Sequence, residues 1–200
     1  DAMFFWEQDG KRTLADRLDD LKGVVFQNQL GSLYDKSLRV SRLAADIAGQ
    51  LGEDVGFAEG AGLLSRCDLV TQTVFEFPEM QGIMGRYQAR RDGEPEAIAV
   101  ALDEFYRPRF SGDALPATPT GLAVALADRI DTLVGIFGIG QRPTGDKEPF
   151  ALRRAALGVL RILVERALPL DLEALLVAAA EGLEQWVQRP GVVGELMDFL

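Results

Sequence analysis

The sequence predicts an all-α fold, an irregular bundle of roughly eight to ten helices. Apolar residues recur at three- and four-residue spacing along nearly the whole chain, as in Leu14, Leu18, Leu21 and Val25, or Val40, Leu43, Ile47 and Leu51. Alternating runs of β-branched and aromatic residues are missing, so no strand is expected. Asp, Gly and Pro cut the apolar periods repeatedly, without an internal repeat, which favours a bundle over a coiled coil.

Taken in order, Thr13 to Phe26 reads as a helix. Leu33 to Leu51 reads as the next, with Asp35, Lys36, Arg39 and Arg42 largely outside its apolar face. Asp54 is placed to cap a third helix through Leu64, and Asp68 a fourth, which Pro78 interrupts by removing a donor and clashing with the preceding turn. The continuation from Glu79 to Arg91 ends at Asp92-Gly93, and Glu94 to Phe105 is amphipathic. Pro108, Gly112, Pro116 and Pro119 then punctuate a loop of about a dozen residues, a length that in compact domains often carries function. Gly121 to Phe137 is an apolar helix with Asp128 and Asp131 embedded in it. A glycine-rich turn leads to a long helix from about Pro149 to Ala167. Another helix starts at Leu168-Pro-Leu-Asp171 and runs to about Gln188, and Pro190-Gly191 begins the last. Both ends read as cut, since Met3-Phe-Phe-Trp6 follows the first residue almost at once and Val192 to Leu200 still reads as amphipathic helix. A fragment of a longer polypeptide is expected.

With 200 residues, 48% of them hydrophobic, the chain can bury a core of its own. No run approaches the ~18 apolar residues of a membrane span, so no membrane partner is expected. The single cysteine, Cys67, cannot form an internal disulfide, which fits a reducing cytoplasm. A net charge of −10 repels polyanions at long range. Nucleic acid would therefore be met through a local basic patch within a larger assembly, not by the chain alone. There is no histidine, which removes the usual general base and a common zinc ligand.

Gly140 and Gly145 enclose four residues, like the first half of a phosphate-binding loop. The likeness stops there: such a loop needs Lys followed by Ser or Thr after the second glycine, and Asp146 stands in that place. Asp146 and Glu148 would instead satisfy the following helix dipole, with Asp146 as cap and Pro149 in the first turn. Arg142, Lys147, Arg153 and Arg154 flank the turn and could reach a phosphate backbone. The residues alone favour the plainer alternative, in which Arg153 and Arg154 pair with neighbouring carboxylates. A second cluster, Arg86-Tyr-Gln-Ala-Arg-Arg91, puts Arg86 and Arg90 on one helix face beside Tyr87, a stacking surface. There too the plainer role, complementing a helix C-terminus, is the better supported. Arg107 and Arg109 form a third, weaker group. Asp128 and Asp131 lie three apart on one face of an apolar helix. If Asp128 is buried it needs a partner, from Arg129 or from a neighbouring helix.

Several stretches resemble the β subunit of bacterial-type heterotetrameric glycyl-tRNA synthetase, in its central region. They are Phe4–Asp9, Leu18–Gln27, Leu30–Lys36, Leu63–Leu69, Phe75–Gly85 and Gly135–Leu160, spread in consistent order over most of the chain. The resemblance implies an α2β2 ligase that joins glycine to its tRNA at the expense of ATP, with the active site, its ATP and its Mg2+ in the α subunit. It implies tRNA(Gly), the α subunit and the remaining β-subunit domains as partners, and no cofactor in this segment. It also implies that residues 1–200 form one helical HD-like domain, with the option that about 170–200 opens a following helical region. The HD superfamily runs a metal-dependent phosphohydrolase site from a His, a His-Asp pair and a later Asp. On the resemblance, Lys36 stands at the first His, Ser65-Arg66 at the His-Asp pair, and Asp128 at the final Asp. One surviving carboxylate cannot hold a catalytic metal. The expectation is a scaffold without catalytic residues or metal, meeting tRNA through Arg86, Arg90, Arg142, Lys147, Arg153 and Arg154. The alternatives are a retained phosphohydrolase or nucleotide sensor, and a purely structural spacer.

Overall fold

The computed structural model describes residues 1–187 and 189–200. Its elements run α1 (Ala2–Asp9), α2 (Leu14–Arg17), β1 (Val25–Gln27), β2 (Gly31–Ser32), α3 (Leu33–Gln50), α4 (Val55–Leu64), α5 (Gln72–Glu76), α6 (Ile83–Arg91), α7 (Glu96–Glu104), α8 (Pro119–Gly138), α9 (Leu152–Glu165), α10 (Leu172–Gly182) and α11 (Val192–Phe199). Short 3-10 turns at Leu18–Gly23, Cys67–Val70, Pro78–Met80 and Pro149–Ala151 link them. The fold is the expected all-α irregular bundle with one small antiparallel hairpin added. Among the described residues no helix is long and apolar enough to cross a membrane.

The bundle is built around α8. Its start is over-determined: Thr118 Oγ1 accepts from the Gly121 N–H at 3.1 Å, and Pro119 occupies the first turn, where its missing donor is not needed. The buried Glu104 carboxylate accepts from the Thr118 N–H and hydroxyl and from the Ala117 N–H, tying the end of α7 to this cap. From Thr120 to Gly138 the helix is buried on nearly all sides, as an apolar helix without a polar face must be. The helices α3, α4, α7, α9, α10 and α11 pack around it. Leu126, Ile130, Leu133 and Ile136 are fully buried there, each worth roughly 1.5–3 kcal/mol of transfer free energy. Helices α3 and α4 approach so closely that a Cβ on Gly62 would lie 2.5 Å from the Ser41 Cα.

Several local expectations change. The helix read from Thr13 to Phe26 survives only as α2 and a 3-10 turn. The chain then extends into β1, which pairs with β2, and Val25 faces solvent while Leu14 and Leu21 are buried. Three residues against two make a hairpin too short to leave an alternating pattern, which is why the sequence hides it. Asp68 caps no helix; Thr71 caps α5, and Asp68 is buried, accepting from the Gly82 and Gly85 N–H groups. Burial raises the Asp68 carboxyl to about 6 against those bonds. Asp146 does not cap α9: Thr144 and Lys147 close a tight turn on each other, and Ala151, in a left-handed conformation, stands at the N-cap. The expected end of α10 at Gln188 lies outside the described residues; the helix itself ends at Gly182.

Candidate functional site

Three of the four positions singled out by the HD resemblance converge in space, from three elements. Lys36 comes from α3, whose start is fixed by a capping box between Ser32 and Asp35. Ser65 and Arg66 follow the end of α4, and Asp128 lies midway along α8. The Arg66 guanidinium donates to both Asp128 carboxylate oxygens, at 3.0 and 3.2 Å. Lys36 Nζ lies 3.7 Å from Asp128 Oδ1 and donates to the Asp128 carbonyl at 3.2 Å. Ser65 stays apart, its hydroxyl donating to the Gly62 carbonyl within its own helix.

Asp131, one helical turn on from Asp128, completes the cluster. It is 2% exposed and accepts from Lys36 Nζ at 2.9 Å and from Arg39 Nε at 2.8 Å. The expectation that Lys36 and Arg39 lie outside the buried face of α3 is therefore corrected: both are buried, at 1% and 8% exposure. Their cationic ends are drawn inward because α8 offers carboxylates at the same three-residue spacing. That match, cations at 36 and 39 against acids at 128 and 131, is the signal in the sequence that would have found Arg39 and Asp131.

The hairpin that the sequence concealed supplies the rest of the surroundings. The Leu30 carbonyl accepts from Arg39 at 3.1 Å, and the Phe26 ring lies 4.5 Å from Lys36 Nζ. Arg66 lies over the rings of Phe105 and Tyr106, at 5.0 and 5.2 Å. Burial works to raise the Asp128 pKa, but Arg66 and then Lys36 outweigh it and hold the carboxyl below its ordinary value. Arg66 responds in kind: burial opposes its charge, Asp128 overcomes that, and its pKa lies above the usual one. Arg129, the other partner considered for Asp128, serves the loop instead, donating to the carbonyls of Phe105, Tyr106 and Pro108 as well as Ala125.

These residues do not fit a divalent metal. A metal of that kind needs several oxygen or nitrogen donors with free lone pairs. Here both Asp128 oxygens accept from Arg66, Asp131 is shared by Lys36 and Arg39, and the Lys36 ammonium bridges the two acids. Among the described residues no group of three or more His, Cys, Asp or Glu side chains gathers.

The six cations expected to meet RNA fall in separate places. Arg86 is 3.4 Å from Asp103, and Arg90 is held by Glu96 beside the exposed Tyr87 ring. Arg142 and Lys147 line one concavity with Glu148, and Arg142 also lies 3.7 Å from Glu195. Arg153 pairs with Glu148 at 3.6 Å, and its own N–H donates to the same carboxylate at 2.6 Å. That is the plainer pairing the residues favoured. Arg154, one position on, turns instead to the cleft formed by Lys36, Arg66 and Asp128.

Comparison with known proteins gives a consistent result. A family model described as the glycyl-tRNA synthetase beta subunit matches residues 1–200. The glycine–tRNA ligase beta subunit of Sodalis glossinidius (strain morsitans) is 57% identical over 200 residues, covering all of this chain and 29% of that protein. The proteins of the same name from Klebsiella pneumoniae (strain 342) and Chromohalobacter salexigens are 56% and 55% identical over the same lengths. The chain thus spans under a third of the length of these relatives. With the whole chain matched at this identity, it belongs to the glycyl-tRNA synthetase beta subunit family.

Proposed function

We propose that this chain is a non-catalytic, HD-like module of a glycyl-tRNA synthetase β subunit. It braces the α subunit and the remaining β-subunit domains and reaches tRNA(Gly), supporting the ATP-dependent attachment of glycine by an α2β2 enzyme in the cytoplasm. ATP and Mg2+ act in the α subunit on this reading, and no cofactor resides here. The observation that carries it is the state of Asp128. The one acid left from an HD ligand set is neutralised by Lys36 and Arg66, the residues standing where metal-binding His and Asp would be. An ion-paired knot replaces a reaction centre, and the remaining use of the scaffold is its surface. The family match at 57% identity supports the assignment to glycine charging.

In the assembled enzyme, Arg153→Ala with Arg154→Ala is expected to weaken tRNA charging through KM, with the fold unchanged by circular dichroism. Each lost phosphate contact should flatten the dependence of log KM on log salt by about one. Identical kinetics and an identical salt slope would remove both arginines from the RNA surface. Turnover of a phosphoester that disappears with Asp128→Asn would instead favour a retained hydrolase.

A further inference from the structure

Beside the Asp128 cluster a cleft of about 370 Å³ opens to the surface, a size within the range of small-ligand sites. Its lining carries five cations, Lys36, Arg66, Arg109, Arg129 and Arg154, against a single carboxylate, Asp128. The charges behind the lining redress this only in part. Asp131 is divided between Lys36 and Arg39, and Asp103 between Arg109 and Arg86. Of seven cations, five share the three carboxylates Asp128, Asp131 and Asp103, with buried Asp68 adding a weaker attraction to Arg66, in a chain whose net charge is −10.

Among the described residues, two of the cations, Arg129 and Arg154, have no carboxylate within 4 Å, though Arg129 still feels the charge of Asp128. Arg129 spends its donors on main-chain carbonyls, which satisfies hydrogen bonding without cancelling charge. Arg154 has no carboxylate within 4 Å and no side-chain hydrogen bond among the described residues, and it stands at the mouth. The walls are aromatic: Phe105 and Tyr106 back Arg66, and Phe26 meets Phe150 edge-on at 5.8 Å. Walls of that kind lower the local dielectric and strengthen the positive field.

The backbone at the lip is strained in the same place. Phe150 and Ala151 both have positive φ, +54° and +51°, a left-handed conformation costing about 1–2 kcal/mol for each non-glycine residue. That backbone path leads into α9 with Phe150 and, three residues after Ala151, Arg154 both on the lining of the cleft.

We propose that this cleft binds a phosphomonoester, the terminal phosphate of a mononucleotide or of a 5′-phosphorylated RNA end. Arg154 and Arg109 supply direct donors at the mouth, and Lys36, Arg66 and Arg129 supply the field behind them. A guanidinium fork matches phosphate oxygens in pairs, and a monoester carries close to two negative charges at neutral pH, where a diester carries one. The excess of cations fits the dianion better. The exposed Phe150 ring offers a face to the attached base.

The test uses the full-length β subunit, titrated calorimetrically at fixed ionic strength with inorganic phosphate, AMP and adenosine. Phosphate and AMP should bind and adenosine should not. Arg154→Gln and Arg109→Gln should each weaken AMP at least tenfold with unchanged circular dichroism and melting temperature. AMP affinity should fall as pH drops below about 6, where the phosphate takes up its second proton. A 5′-phosphorylated RNA hairpin that outcompetes both AMP and its 5′-hydroxyl counterpart identifies an RNA end as the source. The reverse order identifies a free mononucleotide. Equal binding of AMP and adenosine, or AMP binding indifferent to both substitutions, would overturn the proposal. Because the readout is a small probe, this result stands apart from the charging kinetics that test the RNA-bracing role.

Discussion

Replacing Asp131 by Asn should be among the most damaging single-atom changes available in this chain. The carboxylate is 2% exposed and neutralises two cations, Lys36 and Arg39, that are themselves nearly inaccessible. Asparagine keeps the volume and one acceptor oxygen but removes the charge, leaving the buried Arg39 guanidinium without its carboxylate and Lys36 with only Asp128, 3.7 Å away. Breaking a buried pair by removing one partner costs about 3–5 kcal/mol. At the lower end, for a domain of this size, that lowers the melting temperature by about 6–12 °C. Urea unfolding is the direct assay, followed by far-UV circular dichroism and by tryptophan fluorescence. Trp186 is a local reporter, since the Arg39 guanidinium lies 4.7 Å from the centre of its ring. The urea midpoint should fall with the slope unchanged. Lys36→Met together with Arg39→Met and Asp131→Leu should regain most of the loss, because apolar groups of similar size need no compensation. Asp20→Asn serves as control: its bond to Arg12 is 2.7 Å long, but both side chains are largely exposed, so the midpoint should not move measurably. A loss below about 1 kcal/mol in Asp131→Asn would refute the claim that this cluster is a desolvated charge knot.

Asp68 should act with the opposite sign. Its folded pKa is raised to about 6 by burial, so between about pH 4 and 6 the folded chain holds a proton that the unfolded chain has released. Stability should therefore fall by roughly 3 kcal/mol across that window as pH rises, and Asp68→Asn, which can still accept from Gly82 and Gly85, should flatten the fall in melts taken at pH 4 to 7. Gly62→Ala should destabilise by about 1–3 kcal/mol despite the better helix propensity of alanine, because its Cβ meets Ser41 backbone atoms that cannot swing away. Gly182→Ala, with open space around it, should be neutral or slightly stabilising in the same denaturation assay.

Each part of the molecule was legible to the degree that its cause is local. Helix α3 begins and ends within a residue of where its apolar stripe places it, because Val40 through Leu51 act on their own turns, and the Ser32–Asp35 capping box that the structure adds is equally local. Asp54 capping α4 and Pro78 ending the helical run before it are likewise properties of a few adjacent residues. The hairpin at Val25–Ser32 escaped, since pairing is paid for by a partner strand and five residues carry too little period to announce it. Asp146 does not cap α9 for a related reason: it sits inside the turn closed by Thr144 and Lys147, five residues before the Ala151 N-cap.

The sequence by itself determined that this is a helical body without imidazole, with one cysteine and an acidic total charge, and those facts already limit its chemistry. Its resemblance to a known family also named Lys36, Arg66 and Asp128 as positions that belong together. Tertiary structure alone decided what they do there. Whether a lysine on α3 points to water or into the core depends on what α8 presents 92 residues later. A charge is tolerable in a protein interior only where an opposite charge or a set of hydrogen bonds meets it, and here distant segments supply them. That pairing, and the surplus of arginines left facing the cleft beside it, is a property of packed helices that no local pattern encodes.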